Sequence, residues 1–234
     1  MEKIEKFARS LLVLDNIEKP KVPFETNELL QDSYQHFLSV CNGGFSKDGY
    51  FHFFGQKGSI NHNLGDWNDT DLWKKYYDLD KNIICFAEDI FGVQYFFNLN
   101  QPKRKAIKML SIENGEQTIC ASDFTDFIDR FLYEDDVHGE SKKMQKEFFK
   151  KAGIKTHDYV SHIAYKIPIC LGGDWEDINN LELMDSVQHM RISGQISMQV
   201  KKLPNGTKIS NIEIDKDTAE VKLIAEKEKK GWFF

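Results

Sequence analysis

Residues 82–99, NIICFAEDIFGVQYFFNL, are two apolar halves rich in β-branched and aromatic residues, separated by a turn around Asp89 to Gly92. Each half has the length of a strand, and the turn carries Asp and Gly, so the stretch predicts a β-hairpin. A second hairpin is predicted directly after it. Residues 105–112 and 117–121 are its arms, and Glu113-Asn114-Gly115 is its turn. Asn-Gly favours the tight turns that match the twist of paired strands. Residues 50–54, YFHFF, read as a further strand.

Helical spacing surrounds these strands. Ile4, Phe7, Ala8, Leu11 and Leu12 predict a short amphipathic helix, and Pro20 and Pro23 interrupt the chain after it. A second helix, capped at Thr26 or Asn27, carries Leu30, Tyr34, Phe37, Leu38 and Cys41 on one face. Asn42-Gly43-Gly44 ends it. Asn68-Asp69-Thr70 is expected to start a short helix with Leu72, Trp73, Tyr76 and Tyr77. Ser122 or Asp123 caps another, with Phe124, Phe127, Ile128, Phe131 and Leu132 at core spacing. The charged stretch 133–143, YEDDVHGESKK, contains Gly139 and little aliphatic bulk, and reads as a boundary or linker. Beyond it are a helix with Met144, Phe148 and Ala152 ending at Gly153, and an extended piece around residues 165–171. Helical spacing returns at Ile192, Ile196, Val200 and Leu203, before a hairpin of residues 208–214 and 219–225.

Several function classes are disfavoured. The formal net charge is −6, whereas general nucleic-acid binders neutralise phosphates with an excess of Lys and Arg. No apolar run approaches the roughly 18 residues of a membrane span, and MEKIEKFARS lacks the apolar segment of a secretion signal. Cys41, Cys85, Cys120 and Cys170 lie far apart without a CxxC pair, as expected of free thiols in a reducing cytoplasm. Neither nucleic acid nor membrane is an expected partner. The glycines at 43 and 44 come after a helix and precede a strand, which turns the negative end of the helix dipole toward them. A phosphate cradle has the opposite order, so these glycines read as a structural turn. His52 with His62 and His157 with His162 lack i,i+4 spacing or a cysteine partner, and no metal or cofactor is expected. No nucleophile motif occurs, so no catalytic residue is assigned.

Residues 64–73, LGDWNDTDLW, combine acid and aromatic groups. Asp66, Trp67, Asp69 and Asp71 form a candidate partner-binding patch, since interface hot spots favour Trp. The other reading is a capped surface helix with a buried Trp73. Residues 167–189 resemble the HNH nuclease finger in Pro168, Gly172-Gly173, Asn180 and His189. Tyr165 stands where that finger places its general-base histidine, and tyrosine does not activate water near pH 7 as imidazole does.

The order of Tyr34 to Cys41, Asn42-Gly43-Gly44, Phe53-Phe54-Gly55, Trp67 and Trp73, and FAEDIFGVQYFF at 86–97 resembles the SUKH superfamily over residues 1–135. These domains are related to fungal cell-wall synthesis regulators and are common as bacterial toxin-immunity proteins. Val93 and Asn98 depart from the pattern, which often has Asn and an acidic residue at these positions. YKIPICLGG at 165–173, with Asn180-Leu181, His189-Met190 and Gln195-Ile196, is similar to the C-terminal region of a type VI secretion immunity family. These resemblances imply an α+β fold: an antiparallel sheet with helices packed on one side in residues 1–135, plus a C-terminal α/β extension over residues 140–234. They also imply a non-enzymatic, cytoplasmic immunity protein whose partner is a cognate protein toxin, nucleases being one class of such toxins. A cell-wall or signalling adaptor of the same fold is the second expectation, and a degenerate HNH-type nuclease the third.

Overall fold

The computed structural model describes residues 2–12, 31–56, 63–101, 105–155, 157, 160–204, 206–215, 218 and 220–226. The three predicted hairpins are formed. Among the described residues, six strands run in chain order as one antiparallel sheet: β1 (Gly44–Phe45), β2 (Phe51–Phe53), β3 (Ile83–Asp89), β4 (Gln94–Asn98), β5 (Ile107–Leu110) and β6 (Gln117–Ala121). Next-neighbour pairing lets most connections be short turns, the exception being residues 54–82 between β2 and β3.

An irregularity in β3 sets what each face carries. Cys85 pairs with Phe96 and Ala87 with Tyr95, leaving Phe86 as the extra residue of a β-bulge. Phe86 thereby joins the aromatic face, its ring 5.5 Å from Tyr34, 4.6 Å from Phe97 and 5.3 Å from Phe127. Glu88, opposite Gln94, falls on the other face, beside His52 of β2.

Helices α1 (Glu2–Ala8), α2 (Asp32–Val40) and α4 (Phe124–Asp129) cover the aromatic face. Tyr34 and Phe37 of α2 interlock with Phe53, Phe86 and Phe124, at centroid separations of 5.1–5.6 Å. Each such ring contributes roughly 1.5–3 kcal/mol by burial, which dominates the stability of this layer. Asp123 caps α4 by accepting from the Asp126 N–H at 2.8 Å, as its sequence position predicts. The cap expected at Thr26 or Asn27, and the breaks at Pro20 and Pro23, lie outside the described residues.

The turn after α2 is structural. Gly43 has φ +82°, and a Cβ there would lie 2.5 Å from the Gly55 nitrogen and 2.6 Å from the Phe53 carbonyl oxygen. Only glycine lets the two backbones pass this closely. The Asn42 side chain closes the corner by accepting from Gln56 N at 2.7 Å.

Three local expectations are corrected. The helix near residues 64–77 starts at Leu64 instead of Asn68: α3 (Leu64–Trp67) is capped by Asn63, whose Oδ1 accepts from Gly65 N and Asp66 N. A separate 3-10 turn, Lys74–Tyr77, comes next. Residues 133–143 are no extended linker, because most of them are the first turns of α5 (Asp135–Ala152), which ends at Gly153 with φ +69°. The inner stripe of α5 includes His138 and Gln145 alongside Met144 and Phe148, so polar buried residues hid the apolar period. The extended piece lies earlier than expected, at β7 (Ser161–Tyr165), and a 3-10 turn, Ile169–Leu171, takes its predicted place.

The C-terminal extension covers the second face of the sheet. β7 pairs antiparallel with β8 (Leu181–Asp185), which leads into α6 (Ser186–Val200), capped by Asp185. Ile163 N donates to the Ile90 carbonyl at 2.8 Å, and Arg191 Nε to the Leu72 carbonyl at 2.6 Å. Met144, Phe148, Ile163, Leu181 and Met190 share one apolar core with the sheet. The last hairpin, β9 (Ile209–Ile214) with β10 (Val221–Ala225), packs through Val221 on Ile192 and Ile196 of α6. The fold is thus α+β, an antiparallel sheet with a helical layer and a C-terminal extension.

Candidate functional site

The acidic patch divides into two parts. Asp66, Asp69 and Asp71 are exposed, the Asp71 side chain to 87%. Each is also used locally. Asp66 accepts from the Asn63 side chain, Asp69 accepts from Asp71 N at 2.8 Å, and Asp71 lies 3.4 Å from Lys75 Nζ. Trp67 is in the core with no accessible surface, stacked on Phe54 at 5.2 Å. Its Nε1–H donates to Gln94 Oε1 at 2.7 Å, and its carbonyl accepts from Trp73 Nε1 at 2.8 Å. Trp67 is therefore corrected from a contact residue to a core residue: capping at Asn63 rather than Asn68 turns its side chain onto the sheet. The remaining patch has charge but no apolar anchor.

A second group of residues lies where the extension meets the sheet. His52 Nδ1 is 3.0 Å from Glu88 Oε1, and His162 Nε2 is 3.3 Å from Glu88 Oε2. His162 Nδ1 is 3.2 Å from His189 Nδ1, so one of the two rings donates and the other accepts. Gln94 Nε2 donates to Glu88 Oε2 at 2.9 Å, joining Trp67 to the same network. All are buried. Gly92, at φ +89°, makes this approach possible, since a Cβ there would lie 2.8 Å from His162 Nδ1.

Burial alone would raise the Glu88 carboxyl, but the His162 and His52 rings outweigh it and hold Glu88 far below the usual carboxylate range. Burial pushes the neighbouring Asp89 up to about 7, even though Val93 N and Phe91 N both donate to it. Burial, with His162 alongside, holds His189 well below its ordinary 6.5. The space among Tyr50, His52, Glu88, Asp89, His162 and Ser186 is about 20 Å³, room for one water and too small for a substrate. This arrangement suits a buried electrostatic lock between the sheet and the extension.

In the sequence, His52 and His162 stand out only beside His62 and His157, and His62 lies outside the described residues. His52 and Glu88 are 36 residues apart and His162 and His189 are 27 apart, so no short motif links them. The residues of the nuclease-like finger also have structural partners. Asn180 accepts from Ile167 N at 2.8 Å and donates to the Ile167 carbonyl at 3.0 Å, Tyr165 OH lies 3.7 Å from Met144 Sδ, and His189 faces His162. Among the described residues no group of three or more His, Cys, Asp or Glu could hold a metal, and no helix is long and apolar enough to cross a membrane. The four cysteines are free, and burial pushes the Cys85 thiol up to about 12.

Residues 25–128 match the SUKH_6 family model, described as SMI1-KNR4 cell-wall. The matched span runs through α2, all six strands and the start of α4. The crystal structure of Atu4351 from Agrobacterium tumefaciens is similar over 94% of this chain and 96% of that one, with a TM-score of 0.55 and 15% identity. At that identity the likeness shows the fold, and it takes in the C-terminal extension as well as the sheet. A search of curated proteins finds no match.

Proposed function

We propose, from the match of residues 25–128 to the SUKH_6 family model of the SMI1-KNR4 type, that the protein is a bacterial immunity protein that binds and neutralises a cognate toxin in the cytoplasm. The family match over the whole sheet carries this reading. Neutralisation is by stoichiometric binding, without catalysis or cofactor. The buried ionisable groups support it: Glu88, His52, His162 and His189 are engaged with one another and leave space for a single water. Asp66, Asp69 and Asp71, on a chain of net charge −6, provide the field that steers a basic toxin surface onto the protein.

Growth of a neutral host tests the reading. The reading frame immediately upstream is expressed with and without this protein. Growth arrest by that frame, relieved by co-expression, is the expected result. The family description, with its cell-wall term, favours an adaptor as the second reading. An adaptor would bind a partner without rescuing growth, and a harmless upstream frame would overturn the immunity reading in its favour.

A further inference from the structure

The sequence holds two nearly identical pentapeptides, Gly65-Asp66-Trp67-Asn68-Asp69 and Gly173-Asp174-Trp175-Glu176-Asp177. The fold treats them oppositely. Trp67 has no accessible surface, whereas Trp175 is 45% exposed, with Asp174 and Glu176 exposed on either side of it. Ile167 is 55% exposed, and Ile169 is exposed as well. The Asn180 side chain draws the two arms of this loop together: it bonds Ile167 N, the Ile167 carbonyl and, at 3.2 Å, the Asp174 carbonyl.

The loop is held in one shape. Leu171 N and Gly173 N both donate to the Pro168 carbonyl, Ile169 N donates to Glu113 of the β5–β6 turn, and Glu176 N to Asp174 Oδ1. A tryptophan left in water on a braced loop forgoes its burial in the free protein and loses little conformational freedom when a partner covers it. The charges around it are sorted. Lys166 donates to the Asn179 carbonyl and Lys151 to the Asn179 side chain, and both lysines, behind the bonds from Asn179, help hold the Asp177 carboxyl below its ordinary value. Asp174 and Glu176 are left flanking the indole.

We propose that the loop of residues 166–177 is the anchor by which the protein grips its toxin, with Trp175 and Ile167 entering an apolar cleft rimmed by Lys or Arg. This rests on the immunity reading and supplies the apolar contact that the Asp66, Asp69 and Asp71 face lacks. A cationic rim meets Asp174 and Glu176 in opposite charge and can stack a guanidinium on the indole.

The test is isothermal titration of this protein into the purified product of the upstream reading frame. Trp175→Ala is expected to weaken binding about 30-fold or more, the loss typical of a buried aromatic hot spot. Ile167→Arg, which sets a cation against the cationic rim, should weaken it comparably, and Glu176→Lys about 5–10-fold, more at low salt. Thermal midpoints serve as the folding control, and Ile167→Arg and Glu176→Lys alter exposed side chains. Affinities within threefold of wild type for all three variants would overturn this surface and leave the immunity reading standing. No binding by the wild-type protein would remove both.

Discussion

Glu88 is the residue on which the seam between sheet and extension depends. Its carboxylate is buried and relies on His52, His162 and the Gln94 amide. Glu88→Gln leaves two imidazoles facing a neutral amide, and should destabilise the protein by about 3 kcal/mol. Urea unfolding would show a lowered midpoint at unchanged slope. The pH dependence has two opposing parts. Glu88 is depressed in the folded protein and His189 is held below its ordinary 6.5, so both contribute stability at neutral pH. His189 loses its contribution as pH falls below 6.5, and Glu88 as pH falls below 4.5. Asp89 is raised from 3.8 to about 7, so its contribution is complete below 3.8 and is lost as pH rises through 7. Asp89→Asn keeps an acceptor for Phe91 N and Val93 N, reverses the Tyr50 hydroxyl bond at the other oxygen, and removes this pH-dependent part. The stability of wild type relative to Asp89→Asn should therefore rise on going from pH 7 to pH 4, by on the order of 2–4 kcal/mol. A gap that stays constant in thermal melts across that range would refute the raised Asp89.

The β3–β4 hairpin shows how far local pattern carries and where it stops. Its arms and turn are legible because an apolar run broken by Asp and Gly has few other uses. The bulge at Phe86 is not legible, since an extra residue leaves no mark on an already apolar strand, yet it sends Glu88 to the seam. The turn glycine, Gly92, is fixed by His162, seventy positions along the chain. Gly92→Ala should cost about 2–4 kcal/mol, from its positive φ and a Cβ 2.8 Å from His162 Nδ1. Pairing it with His162→Ala should recover part of that loss in a double-mutant cycle, because the steric share disappears with the ring. The first turns of helix α5, residues 135–143, failed to read as helix for a related reason. His138 is buried against the Phe131 and Phe51 rings at 4.8 Å and 5.1 Å, a tertiary fate that charged neighbours conceal. At the candidate surface, the types of residue in 64–73 were informative but their direction was not: Trp67 and Trp175 share their local sequence and differ only in what the fold places over them. Changing Asp66, Asp69 and Asp71 together to Lys should slow association with the toxin several-fold at low salt. The thermal midpoint should stay within a few degrees.

The whole molecule is expected to unfold as one cooperative body. The sheet and the extension share a core, and the polar seam is complete only when His162, backed by His189, faces Glu88. A chain cut after Tyr133 would expose Glu88, His52 and Gln94 to water, along with apolar residues of the second face such as Phe96. It should fail to give a sharp unfolding transition, whereas the full chain should show coincident transitions by far-ultraviolet dichroism and tryptophan fluorescence. The resemblance carried by Asn42-Gly43-Gly44 and the aromatic strands foretold the sheet and its helical layer. The seam was beyond it, because the contacting residues belong to segments with no common period. The most direct measurement is a titration of the upstream product's toxic activity with purified full-length protein. Stoichiometric neutralisation predicts that activity falls linearly and reaches its floor near one equivalent, as a tight complex requires. Inactivation by a small fraction of an equivalent would mean turnover, and full toxic activity at tenfold excess would mean no such partnership. Either result would contradict it.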